Sequence, residues 1–282
     1  MNRVLEGSYL DLSVPTDNRP FFFNQLRFRD IPSTALRMIH GNIRVGVMAG
    51  NLIASGVLML ILFISIIAVI VTVLLPLSGA ARESPMPLVV VGSLYFALIG
   101  MGFMLAEIAL LQRFSVYLGH PIYSLSVCLF SLILASGLGS LSSDRLKLNA
   151  RLKLLLWGSI VAVYLAGMVW ALPALLESTT GQERLVRIGI SLAVIMPLGF
   201  LLGFAFPTGL GLVEVVDRQP TPWFWGINGA TSVLASVLAV MFCMAVGINV
   251  TMLLSAACYL LLIPTSFALL GMGQQLTAKQ PR

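Results

Sequence analysis

At 282 residues, 58% hydrophobic and only 10% charged, the chain cannot cover itself with polar surface, because a soluble domain carries about 25% charged residues. A water-soluble globular fold is excluded, and an all-α, polytopic membrane protein of about seven transmembrane helices is expected. The formal charge of +6 is no footprint of nucleic acid, since basic residues gather in the loops that flank membrane spans.

Residues 1–45 read as a short extramembrane segment. The opening "MNRVLEGSYLDLSVPTDNRPFFFNQLRF" is polar and aromatic, and the first apolar run starts too late to be the core of a cleavable signal peptide. Pro15, Pro20 and Pro32 predict extended or turning chain. The segment is too short to bury a core, so it is expected to dock on another part of the assembly.

Seven apolar runs follow within residues 46–273, each long enough to cross a bilayer as a helix. They read as Val47–Leu77, Leu88–Gln112, Ile122–Leu141, Leu154–Leu176, Leu185–Val213, Trp223–Val246 and Ile248–Met272. The first and fifth exceed the roughly 20 residues a crossing needs, so tilting or kinking is expected. In the fifth, Pro197 and Pro207 remove backbone donors, and kinks are expected at both. The "VGINV" link predicts an antiparallel hairpin of the last two spans. Residues 274–282 form a polar tail. Arg37, Arg44, Arg113, Arg184 and Arg187 on the N-terminal side nearly balance Arg145, Lys147, Arg151 and Lys153 on the other, so loop charge alone does not orient the chain.

Within "GMGFMLAEIALLQRFSVYLGHPIYSLSV" stands Glu107, six residues inward of Arg113 and so roughly 9 Å below the end of its span. The two lie about 120° apart around the helix, and a partner for Glu107 is expected from another helix. Gln112, His120, Tyr123 and Ser124 lie on the same side of the membrane, with Pro121 suited to the first turn of the third span. Span six carries Asn228, Ser232 and Ser236 at four-residue spacing on one face. Asn228 belongs to the opposite side, whereas Ser236 reaches about the level of Glu107, so Ser236 can be its partner where Asn228 cannot.

The opposite side gathers small and kinking residues. "SGLGS" contains Gly137 and Gly139, "FPTGLG" contains Pro207 and Gly209, and Gly199 and Gly203 have the GxxxG spacing that lets backbones approach. Trp223 and Trp225 fit the interfacial aromatic belt. Cys128, Cys243 and Cys258 all sit in apolar runs without metal-binding spacing, which argues against zinc and disulfides. No cofactor is implied.

Two readings of each polar residue stand side by side. Glu107 is a functional group, the default for an ionisable residue in a membrane, or an interhelical pin. His120 is a proton-transfer partner or a polar cap. Asn228 lines a substrate cavity or glues helices together.

The blocks "PTDNRPFFF", "GMGFMLAEIALLQRF…LGHPIYSLSV", "SGLGS", "FAFPTGL" and "PWFWGINGATSVLASVLA" resemble the membrane-embedded spermidine-synthase-like proteins of bacteria. Those join a soluble aminopropyltransferase- or methyltransferase-like domain to multi-helix membrane segments. The resemblance implies that "PTDNRPFFF" is the tail of such a domain, and that the chain lies in a bacterial inner membrane with residues 1–45 in the cytoplasm. The first 45 residues cannot hold the strand, glycine-rich turn and acidic ribose contact of a Rossmann unit. Transfer chemistry is therefore expected from a separately encoded soluble synthase-like partner, with this chain as its membrane module. A transporter of a small cationic or polar solute, such as a polyamine neutralised by Glu107, is the alternative. An enzyme using Glu107 and His120 as an acid/base pair is a third reading, with no nucleophile or metal set to accompany it.

Overall fold

The computed structural model describes residues 16–21 and 47–279. The rest of the expected N-terminal segment, with Arg37 and Arg44, and the end of the tail lie outside the described residues. Nine α-helices follow one another among those residues: α1 (Val47–Val69), α2 (Leu75–Arg82), α3 (Met86–Leu118), α4 (Pro121–Ser143), α5 (Arg151–Thr179), α6 (Arg184–Gly203), α7 (Ala205–Glu214), α8 (Thr221–Val246) and α9 (Ile248–Lys279). Seven stretches are long and apolar enough to cross a membrane, with α1–α2 and α6–α7 each supplying one. The protein is all-α and polytopic.

Prolines accompany the interruptions of the two long crossings. Between α1 and α2 the chain makes a π-helical turn, Ile70–Leu74, in which the N–H of Leu75 donates to Ile70 O. Pro76 follows and cannot donate to the carbonyl of Thr72, so the ladder shifts by one residue there. In the fifth crossing the sequence leads one to expect kinks at both prolines. The helix instead stays continuous through Pro197, and the interruption falls at Phe204, between α6 and α7. Pro207 stands just after it and leaves the Gly203 carbonyl without its helical donor, although the same loss at Pro197 leaves α6 unbroken.

Crossings alternate in direction, which gives the bundle two faces. Residues 16–21, the α3–α4 and α5–α6 links and Gly247 lie on one, called the N-terminal face. The α2–α3, α4–α5 and α7–α8 links lie on the far face. Helix α3 is central and runs along both α8 and α9, α4 pairs with α6, α5 packs on α9, and α1 leans on α8.

Lipid tails are as apolar as leucine, so helices associate through close backbone packing and interhelical hydrogen bonds. Both are present. A Cβ on Gly139 of α4 would run into the Phe200 carbonyl of α6, and one on Gly203 would run into the Ser136 carbonyl. Gly199 lies against Leu132 in the same seam. The ring of Tyr95 fills the space beside Gly209. Polar side chains then reach across to carbonyls of other helices. Ser255 Oγ donates to Gly102 O (2.6 Å) and Tyr95 Oη to Ala205 O (2.9 Å). Trp157 Nε1 donates to Leu201 O (2.9 Å), in the last turn before the α6–α7 break.

Candidate functional site

The N-terminal face is organised around one residue that the sequence reading did not single out. Helices α8 and α9 are separated by Gly247 alone, which turns the chain at φ 96°. A one-residue reversal leaves the first N–H groups of α9 without helical acceptors. Asn18 supplies them from far away in the chain: its carbonyl accepts from Ile248 N (3.0 Å) and its Oδ1 from Asn249 N (2.7 Å). It is a helix cap delivered by a distant segment. A side chain at position 247 would collide with Asn18, and only glycine tolerates that φ.

Arg113, at the end of α3, ties the same segment to the central helix. Its guanidinium donates to Asp17 O (3.3 Å) and to Asn249 Oδ1. The side chain is buried, and its Nε has no partner among the described residues. The short segment is itself a turn, Arg19 N donating to Thr16 O (2.8 Å), and Phe21 packs on the hydrophobic core. An open cavity of about 360 Å³ lies between Asp17, Pro20 and Phe21 on one side and Gln112, Ser115 and Val116 on the other. Gln112 therefore faces the docked segment.

The remaining candidates on this face divide between two other contacts. His120 is the N-cap of α4, its Nδ1 accepting from Ile122 N (3.2 Å), and its ring meets Tyr123 edge-on. Tyr123 faces Arg184, which donates to its hydroxyl (3.1 Å) and lies over its ring. Arg187 donates to Tyr117 O (2.8 Å) and holds α6 to the end of α3. Helix length separates His120 from Glu107 by roughly 16 Å along the bundle, so the structure does not bring them together as an acid/base pair.

Glu107 is buried in α3, in the neighbourhood of Cys128 of α4. Its carboxylate makes no hydrogen bond or ion pair with a described residue. The proposed partner Ser236 is a correction: its hydroxyl donates to Val233 O within α8 (2.8 Å). Ser124 is the sequence candidate that shares Glu107's surroundings. It bonds Leu111 O (2.9 Å), one helical turn along α3 from Glu107, and lies next to Cys128. The three cysteines are buried free thiols.

The far half of the bundle holds a second cavity of about 400 Å³. Ile99, Gly100 and Phe103 of α3 form its floor. Ile133, Ser136, Gly137 and Ser140 of α4 form one wall, and Asn228 and Ser232 of α8 the other. The α6–α7 break closes it with Leu202, Gly203 and Phe206. Asn228 Nδ2 donates to Phe96 O (3.1 Å), and Ser232 Oγ to Asn228 O (2.8 Å). Asn228 thus both glues α8 to α3 and lines a cavity. Trp223 Nε1 bonds Ser93 Oγ (2.7 Å), while Trp225 is exposed and lies edge-on to Phe206.

Among the described residues no group of three His, Cys, Asp or Glu side chains converges as a metal site. Comparison with family models, with curated proteins and with solved structures returns no match.

Proposed function

We infer that the chain is a membrane module that couples a water-exposed partner to its helix bundle and is not a catalyst by itself. The observation that supports this reading is the attachment of Asp17–Asn18 to both Arg113 of the central helix and the start of α9. A partner pulling on the N-terminal segment would act directly on two helices, α3 and α9. In this reading the partner is a separately encoded synthase-like protein, and the N-terminal face lies in the cytoplasm of a bacterial cell. Co-expression with a soluble synthase-like protein encoded beside it tests the reading. Co-purification that is weakened by Asn18→Ala supports coupling through this segment. A chain that stays alone and monodisperse in the partner's presence overturns it.

Transport of a small polar solute is the second reading, favoured by cavities in opposite halves of the bundle and a broken helix beside one of them. Glu107 lines neither cavity, and the carboxylate that lines one of them is Asp17, on the N-terminal face. Uptake into proteoliposomes that is blocked by filling the far cavity, and unchanged by Glu107→Gln, is the expected pattern. Uptake abolished by Glu107→Gln would return the carboxylate to the pathway.

A further inference from the structure

We propose that the far cavity is a lateral binding site for an uncharged, bilayer-borne amphiphile whose head group donates hydrogen bonds. This goes beyond the coupling reading and does not rest on it. Four observations converge. First, the cavity opens through the flank of the bundle: Ile133, Gly137 and Ser140, at helical spacing on α4, line it and are exposed. A ligand can therefore enter from the lipid.

Second, the α4 side of the lining passes from polar to apolar with depth, while Ser232 of α8 stands about as deep as Ile133. Ser140 lies three residues before the end of α4 at Ser143, at the level of the lipid head groups. Ile133 is seven residues deeper, roughly 10 Å along the helix, and faces the cavity with Ile99 and Phe103. Along α4 the polar end of an amphiphile fits near the surface and its chain fits inward.

Third, the wall offers acceptors. Ser136 Oγ donates to Ile133 O (3.0 Å), Ser232 Oγ to Asn228 O (2.8 Å) and Asn228 Nδ2 to Phe96 O (3.1 Å). The Asn228 Oδ1 and the serine oxygens retain lone pairs for a ligand's O–H or N–H, and the second Nδ2 N–H of Asn228 and the Ser140 hydroxyl stand beside them as donors. Fourth, no charged residue lines the cavity, so an ionised head group would be left without a counter-charge at a depth where that is costly. A volume of about 400 Å³ suits a small head region, with acyl chains continuing into the bilayer.

The probe is 1,2-dioleoylglycerol, a neutral lipid with one free hydroxyl. The purified chain is reconstituted in phosphatidylcholine nanodiscs containing dioleoylglycerol, its 3-acetylated form or phosphatidylglycerol, and retained lipid is counted by native mass spectrometry. Dioleoylglycerol is expected to be enriched over bulk lipid. The acetylated form, which lacks the donor, is expected to be retained about fivefold less, the value of one hydrogen bond. Gly137→Leu fills the opening where a Cβ meets nothing within 4 Å, and it should abolish the enrichment. Gly229→Leu, equally unobstructed but outside the wall, should preserve it. Asn228→Ala should lower it, and Gly137→Leu carries the test if that variant does not fold. No enrichment, enrichment that survives Gly137→Leu, equal retention of the acetylated form, or preference for phosphatidylglycerol would each overturn the proposal.

Discussion

The crossing made by α1 and α2 is the most apolar of the seven, yet only 6% of its apolar stretch is buried against protein, whereas for α3 the share is 50%. In water the ranking would be reversed, because burial of apolar surface drives folding there. In a bilayer Phe63 and Ile64 of α1 lose nothing by facing lipid, and both are exposed. Helix α3 instead carries groups that lipid serves badly. Gly100 and Gly102 admit neighbouring helices, Tyr95 needs an acceptor, and Glu107 and Arg113 are ionisable. These residues, rather than hydrophobicity, assign α3 to the centre.

Variants that remove what distinguishes α3 should break this contrast in proportion to what each one does. Gly100→Leu is expected to have the largest effect. A Cβ there would lie 2.5 Å from both Asn228 O and Thr231 Oγ1, so α8 must be displaced. The cost is about 3 kcal/mol, read as loss of the monodisperse folded species in size-exclusion and thermal-melt assays. Arg113→Ala comes next. It leaves Asp17 O and Asn249 Oδ1 without their donor, at a cost of about 2 kcal/mol, and proteolysis should release the N-terminal segment before the bundle unfolds. If cleavage instead follows global unfolding, the segment is held by contacts other than these.

Ser255→Ala deletes one α9-to-α3 hydrogen bond. Such bonds are worth about 0.6 kcal/mol on average in membranes, so a small fall in melting temperature is expected. Phe63→Ala, on the lipid-facing side of α1, should change bundle stability by less than about 0.5 kcal/mol. A large loss there would mean that α1 is covered by protein in the native assembly.

The seven crossings were legible because about 20 apolar residues in a row have few other uses, and no long-range information enters that pattern. So was the close packing of Gly139, Gly199 and Gly203, where small residues at helical spacing mark a face that admits a neighbour. Hydrogen-bond pairing was not legible. Ser236 has the depth to meet Glu107, but its hydroxyl bonds Val233 O of its own helix, and depth alone fixes no azimuth. Asn18 carried only a local turn signal, an asparagine in a proline-bounded stretch, while its acceptor atoms serve residues 248 and 249. Pro197 and Pro207 look equivalent in sequence, yet only the second accompanies a break.

From the sequence alone one obtains what depends on each residue's exchange between water and lipid: the class, the number of crossings, their approximate ends and the depth of every polar group. Which helix lies at the centre, which carbonyl each hydroxyl finds and where cavities open depend on how helices rotate about their axes. Lipid is indifferent to most of those rotations, and only contact between helices selects among them. The cap of Asn18 on α9 and the lateral cavity between α4 and α8 both belong to that second set.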